Sequence, residues 1–449
     1  MIEPSDRANT TSGRAPLQLA SLRRLGHRWA QVAVTSQALF DQALVSGTTF
    51  VTAVIIGRTC TPSQLGLYYL ALSIVVVASG IQDNLIACPY TIYSKRHRGL
   101  DLASYLGSSW VHHLLLTAAA VGLMLVAAAA LTAAGASELS PALWVLVWVT
   151  PFVLLRDGVR RFVLADLQVT TAIAIDATVA VLQLGGLLLL AYYGRLSVGT
   201  IFAVIAGAAL VASAWYAMQS TPISLRRSRI WPDWSRSWSF AKWSLRSYLV
   251  GNTVPYVMPW LVTVIIDTAA TGILGACTTL VGVANVFISG MANLLMPQAA
   301  EAYVEEGPPG LARVLRRAAT LLVVVLGSIS LALFFVGEPL AVALYGENFH
   351  GCGPILVALA VGATLNGVGM VVGMGLWAID NPRSNFVADV ACAATTLTAA
   401  ALLIFRAGVL GAAVATLLGI AAGLVVRVAI LWRTGVLSQQ GDATGEENR

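Results

Sequence analysis

Between residues 37 and 432 the chain is a succession of long apolar runs separated by short polar breaks. Many runs are apolar on every side for 18 or more positions, which is neither strand alternation nor the one-sided stripe of a soluble helix. Runs of that length match the hydrocarbon thickness of a bilayer, where a helix satisfies its own backbone hydrogen bonds. The pattern predicts twelve spans, at 36–57, 64–86, 108–132, 141–156, 168–192, 197–218, 244–267, 270–296, 316–336, 353–378, 385–405 and 409–432. The fourth is short and is expected to extend into the RDGVRR that follows. The expected fold class is therefore an all-α polytopic membrane protein.

An even span count puts both ends on one side, and the basic residues say which. Of the 27 Lys and Arg residues, 23 fall in the termini and in alternate breaks, whereas only Arg58, Arg195 and Arg406 fall in the opposite set. Arg427 is inside the last span and is expected to snorkel to its inner end. An excess of this kind marks the cytoplasmic side. Residues 1–35 are read as a cytoplasmic segment without a signal-peptide pattern, in which LQLASLRRLGHRWAQ has the form of an interfacial helix. Residues 36–218 and 244–432 are two six-helix bundles, 219–243 is a cytoplasmic linker, 337–352 is an outer loop, and 433–449 is a disordered tail. The location is the cell membrane.

Composition supports this solvent. Apolar residues make up 57% of the chain, charged residues 11%, and the mean hydropathy is +0.78; a soluble chain carries about 25% charged residues. The net charge of +6 reflects the inner loops and is not read as a nucleic-acid surface. Cys60, Cys88, Cys277, Cys352 and Cys392 have no metal-site or redox-motif spacing. Cys60 and Cys352 both fall in expected outer turns and could pair. No P-loop, metal cluster, nucleophile motif or cofactor signature is present.

The two halves echo each other. VIIGRTCTPSQLG at 54–66 resembles VIIDTAATGILG at 264–275, Ala165 and Asp176 match Ala378 and Asp389, and Gly199 falls close to Gly411. The shared spacing, roughly 210 residues, indicates a parallel repeat related by an axis along the membrane normal, with substrate sites expected between the halves.

Several polar residues sit where lipid would penalise them. Asp41 lies 15 residues before Ile56, which is roughly 22 Å along a helix and about 8 Å inside the cytoplasmic edge of a ~30 Å layer. A carboxylate there should face protein or a wet cavity. The cavity reading makes Asp41 a titrating group that links substrate binding to a proton or Na⁺ gradient; the plainer alternative is an interfacial role. Gln42 and Asn252 occupy equivalent depths in the two halves and are candidates to bind sugar hydroxyls. Gly251, Pro255 and Pro259 make the seventh span a poor straight helix and a candidate hinge. Arg246 could receive a pyrophosphate, because its planar donors pair with oxyanions in a fork, or could simply anchor the helix. His112 and His113 are expected in an interfacial belt, and Asp176 is expected to pair with Arg156 or Arg160.

Four stretches together resemble the polysaccharide flippase branch of the multidrug/oligosaccharidyl-lipid/polysaccharide exporter superfamily. They are GRTCTPSQLGLYYLALS, IIDTAATGILGACTTLVGVANVFISGMANLLMPQAAEAY, LYGENFHGCGPILVALAVG and GLWAIDNPRSNF. Asp267 matches the family's Asp after helix 7 and Pro297 its proline closing helix 8, while Gly275-Ala276 departs from the family's Gly-Tyr. Tyr345, Gly346 and Phe349 fit the turn before helix 10, and Ala378 fits the helix 10–11 turn. The resemblance spans residues 36–432. It implies two six-helix bundles around a central cavity that opens alternately, with helices 1, 2, 7 and 8 as walls. It also implies a polyprenyl-pyrophosphate-linked oligosaccharide as cargo, moved from inner to outer leaflet, and other polysaccharide-assembly proteins as partners. Lipid II flippases are relatives that usually carry fourteen helices and several cavity arginines, so twelve spans favour a different lipid-linked sugar. Two rival functions stand beside this one: a cation-coupled drug or metabolite exporter of the same superfamily, and a membrane polymerase or ligase, which would need a larger outer loop.

Overall fold

A computed structural model describes residue 37 and residues 40–96, 99–135, 139–218 and 224–436. The expected interfacial helix near the N-terminus and the tail beyond residue 436 lie outside the described residues. Those described are helical almost throughout, with no strand among them. The first half is α1 (Phe40–Thr59), α2 (Pro62–Tyr93), α3 (Leu100–Ala133), α4 (Leu139–Ala165), α5 (Val169–Tyr192) and α6 (Val198–Ala217). The second is α7 (Arg227–Gly251), α8 (Thr253–Ile265), α9 (Thr268–Val281), α10 (Ala284–Tyr345), α11 (Gly353–Ala378) and α12 (Pro382–Arg433).

Two of these helices are too long for one crossing. The 62 residues of α10 would stretch about 93 Å if straight and the 52 of α12 about 78 Å, two to three bilayers' worth. Each folds back at a glycine with positive φ, Gly307 at 68° and Gly408 at 56°. Pro308 and Pro309 follow Gly307 and suit the first turn of the next arm, where the missing N–H has no intrahelical partner to lose. With α7 and α8 taken as one bent segment, and α9 continuing into the first arm of α10, the described residues make twelve crossings.

The repeat is visible in the turns. Positive-φ residues recur in order at Gly99 and Gly307, Gly135 and Gly346, Leu167 and Asp380, and Gly194 and Gly408, each pair 208 to 214 residues apart. The Leu167 and Asp380 turns also share their hydrogen bonds. Gln168 N donates to Val163 O and Leu167 N to Leu164 O; Asn381 N donates to Leu376 O and Asp380 N to Trp377 O. The twofold pattern is thus held by the backbone as well as by the matching residues.

The halves join at the end farthest from the termini. There α2 crosses α9 so closely that a Cβ on Gly66 would lie 1.8 Å from Thr268 O, and one on Gly272 would lie 2.1 Å from Pro62 O. Only glycine permits that approach. Tyr69 adds a 2.6 Å hydrogen bond to Thr279, and Arg58 donates to Ala343 O. A single apolar core with Ile56, Leu65, Tyr68, Leu274, Tyr345 and Phe349 continues across both halves.

Three expected boundaries shift. The helix runs on through Pro297 to residue 306, so this proline does not close it. The following arm starts at 308 rather than 316 and reaches Tyr345, which shortens the outer turn to 346–352. The segment expected as a linker is helical from Arg227 onward, because its Trp and Ser positions pack on the first half. Tyr105 pairs with Ser237 at 3.3 Å, Ser244 Oγ donates to Asn84 at 2.5 Å, and His112 Nε2 is 2.9 Å from Ile230 O.

Candidate functional site

Below the sealed end the halves separate around a cavity of ≈ 1240 Å³, bounded by α1, α2, α7, α8, α9, the start of α10, and α11 and α12. The walls expected from the resemblance are all present. Gln42 and Asn252, proposed from their equivalent depths, both line this space. Gln42 Nε2 donates to Ser46 at 3.3 Å and Asn252 Nδ2 to Tyr248 O at 2.9 Å, which leaves both amide oxygens to the cavity's contents. Asn285 and Asn366 add two further amides that the sequence reading missed. Their signal was available: each is an amide inside an otherwise apolar run.

Gly251, Pro255 and Pro259 line the same wall. The helix breaks at Asn252, where α7 and α8 bend by 45°. Pro255 explains the place, since its ring would clash with the carbonyl four residues back, that of Gly251. Below the break α7 packs on the first half through the contacts above. Beyond it α8 turns to the second half, where Thr271 Oγ1 donates to Pro259 O at 3.0 Å. The bend therefore falls where the chain passes from one bundle to the other.

Asp41 is placed differently from the cavity reading. It is buried and points into the first bundle, where Arg160 Nη2 donates to its Oδ2 at 2.5 Å. Arg160 Nε also donates to Asp176 at 2.6 Å, Arg156 bridges Asp176 and Asp157, and Ser79 donates to Asp157 at 2.7 Å. Asp176 thus takes both expected arginines. A paired, desolvated network lowers the cost of charge at this depth, and it accounts for Asp41 without the cavity.

Arg246 is also off the cavity. It is exposed, with its guanidinium 4.7 Å above the Trp243 ring. Arg427 does not snorkel: it turns inward from α12 to Asp389 on the second arm's neighbour, and its Nε reaches Asn385 Oδ1 at 3.3 Å. His112 and His113 are buried between α3, α4 and α7 instead of lying in an interfacial belt. The described cysteines are free, so Cys60 and Cys352 do not pair, and the Cys352 thiol lies beside that of Cys277.

Asp389, the repeat partner of Asp176, is the one charged side chain among the described residues that line the cavity. The rest of the wall is amide, hydroxyl, aromatic and aliphatic. Such a surface can hydrogen-bond a polyol and pack against hydrocarbon.

By sequence, no family model and no curated protein matches the chain. By structure, the lipid II flippase MurJ in an inward closed conformation matches with a TM-score of 0.74, at 13% identity, over 89% of this chain and 87% of that one. An inward-facing multidrug resistance MATE family transporter matches with a TM-score of 0.67, at 14% identity, over 91% and 96%. A superfamily transporter from Pyrococcus furiosus, described by the reversed polarity of its binding pocket, matches with a TM-score of 0.62, at 13% identity, over 90% and 95%. These likenesses show the fold: the chain is an all-α polytopic membrane protein with the architecture of the lipid II flippase and the MATE transporters.

Proposed function

We propose that this protein flips a polyprenyl-pyrophosphate-linked oligosaccharide from the inner to the outer leaflet by alternating access, in the assembly of a cell-surface polysaccharide. The observation that carries this reading is the cavity wall: four amides and a run of hydroxyls around ≈ 1240 Å³, with one end sealed by the α2–α9 crossing. Sugar hydroxyls need amide partners when they leave water, because an unpaired buried hydroxyl costs roughly 1–3 kcal/mol. The likeness to a lipid II flippase supports a lipid-linked cargo. The basic bias of the termini and alternate loops supports an orientation with the open side of the cavity toward the cytoplasm and the sealed end outside. Rocking about the Asn252 break exchanges the open side.

A second reading has its own observation. The single charged residue on the wall is a carboxylate, Asp389, and the likeness to MATE transporters is extensive; both suit an amphiphilic cation as cargo.

Reconstitution decides between them. In proteoliposomes with an imposed pH or Na⁺ gradient, the flippase reading expects movement of a fluorescent polyprenyl-pyrophosphate oligosaccharide and no efflux of a cationic dye. Dye efflux without lipid flipping would replace it with the exporter. For orientation, Asn348→Cys should label from outside and Ser228→Cys only after permeabilisation, in a background without native cysteines. The reverse pattern would invert the topology.

A further inference from the structure

The repeat places one carboxylate in each half at the same point, nine residues after a positive-φ turn residue: Asp176 after Leu167 and Asp389 after Asp380. Their surroundings differ. The Asp176 side chain is 1% exposed and is held by two arginines, which in turn take Asp41 and Asp157. Asp389 is 33% exposed on the cavity wall and is held by Arg427 alone. Arg427 is 18% exposed and is not itself part of the cavity wall. Asn385, itself fixed by donating to Gly373 O at 2.9 Å, steadies the guanidinium through Nε. The second terminal nitrogen, Nη1, has no hydrogen-bond partner among the described residues. It occupies the space over two glycines, 3.3 Å from where a Cβ on Gly369 would stand and 3.7 Å from one on Gly423.

This is an unusual use of an arginine inside a membrane. A guanidinium at such a depth is costly and is kept where it has a task. Fixing a lone aspartate on a cavity wall is a weak task, since an asparagine there would need no partner. An unspent donor beside a partly exposed carboxylate has another use. A phosphoryl anion carries more charge than one carboxylate and meets the guanidinium fork with two oxygens. It can therefore displace Asp389, which swings into the wet cavity at little cost because it is already one-third solvated. Gly251 lies beside Asp389, with its Cβ position 4.0 Å from Oδ2, so the displaced carboxylate would move against the break between α7 and α8.

We propose that Arg427 is the receptor for a phosphoryl headgroup and that Asp389 masks it while the cavity is empty. This rests on the lipid-linked reading above for the source of the phosphoryl group. In the empty state the pair is neutral, so the cavity does not hold stray anions. In the loaded state the headgroup takes the guanidinium and the sugar takes the amides.

The test is binding of farnesyl pyrophosphate to the purified full chain in detergent, measured calorimetrically beside farnesol and inorganic pyrophosphate. Removing the mask and removing the receptor should have opposite signs. Asp389→Asn should tighten binding roughly tenfold and Arg427→Gln should weaken it at least as much, the scale of one charge-assisted hydrogen bond. Arg427→Lys should fall between, having charge without the fork. The double variant Asp389→Asn/Arg427→Gln keeps the shape without either charge and should bind as weakly as Arg427→Gln. If Asp389→Asn and Arg427→Gln both weaken binding equally, or both leave it within twofold, the pair is structural and the proposal fails, while wild-type flipping of the labelled lipid still leaves the flippase reading standing. If inorganic pyrophosphate binds as tightly as the farnesyl compound, Arg427 remains a phosphoryl receptor and the lipid-linked source is wrong. If the wild type binds neither, the receptor proposal fails, and flipping of the labelled lipid still decides the flippase reading.

Discussion

The two bundles share a backbone plan and spend their charges in opposite ways. In the first, Arg156 and Arg160 meet Asp41, Asp157 and Asp176 in a network turned into the bundle. In the second, a single pair, Asp389 and Arg427, stands at the cavity. Equivalent turns deliver Asp176 and Asp389 to equivalent places, so the difference comes from the arginines. The first half carries its two on α4, one helical turn apart and facing α5; the second has one, on the last arm of α12. A closed network fixes three helices to one another. An open pair leaves a charge that can be exchanged. The lesson is that a repeat fixes where a carboxylate stands, and the partner decides whether it is structure or site.

The largest test of this contrast is on stability. Arg160→Met strips the partner from Asp41 and one of two from Asp176, and uncompensated buried charge of this kind costs about 3–5 kcal/mol. Arg427→Met orphans one carboxylate that already reaches water, so its cost should be less than half of that. Thermal unfolding of the two variants in the same detergent measures both. An equal or larger loss for Arg427→Met would mean that the second pair is as structural as the first.

Much of this architecture was legible because lipid is a demanding solvent. Apolar runs of about 20 residues announce crossings without reference to packing, and the repeat offset paired Gln42 with Asn252 before either had a position in space. The turns were less legible. The reversal at Gly307 needs one residue of positive φ and no polar loop, so the helix boundaries expected at 297 and 316 differ from those observed, whereas the break expected between 405 and 409 coincides with Gly408. Side-chain facing was the least legible. Depth alone says that Asp41 must meet protein or water, and only the register of α4, which aims Arg160 at it, selects protein. Arg427 carries a signal, a lone arginine inside a span, but its partner Asp389 stands on the other arm of α12, 38 residues away, where local reading does not reach.

A middle-sized effect separates transport coupling from structure. Asp41 is one residue from Gln42 on the cavity wall, so the reading in which a proton or Na⁺ acts on it is open to test, although its partner Arg160 would keep Asp176. Asp41→Asn keeps the shape and leaves Arg160 with Asp176, at a cost of about 1.5–3 kcal/mol, that of one hydrogen bond to a charged group. It should abolish gradient stimulation of lipid flipping in proteoliposomes, whereas Asp389→Asn should keep the stimulation and change only affinity. Equal gradient response in wild type and Asp41→Asn would leave the first network with a purely structural role.

The smallest effect concerns the outer turns, where the halves differ again. The turn at 346–352 carries His350, and the corresponding stretch around Gly135 has no histidine. His350 Nε2 is 2.6 Å from Glu347 Oε2, and Nδ1 is 3.7 Å from Glu338 Oε1. The hydrogen bond and charge of Glu347 are the main cause that holds the His350 pKa above its usual 6.5, with Glu338 adding to it. A raised pKa in the folded state means that the interaction is fully present below pH 6.5 and is lost as pH rises through the shifted value. The group is exposed, so water and salt screen the effect and global stability should barely move. Local order should respond. Hydrogen exchange of the 346–352 peptide, corrected for its intrinsic pH dependence, should speed up between pH 6 and pH 8 in wild type. The same peptide in His350→Gln should show a flat corrected profile. Glu338 accepts the amides of Gly351 at 2.8 Å and Gly353 at 3.2 Å, which persist without the imidazolium, so the turn should loosen without coming undone. A pH response that survives His350→Gln would move its origin to the carboxylates, and the contrast between the two outer turns would then rest on Glu338 alone.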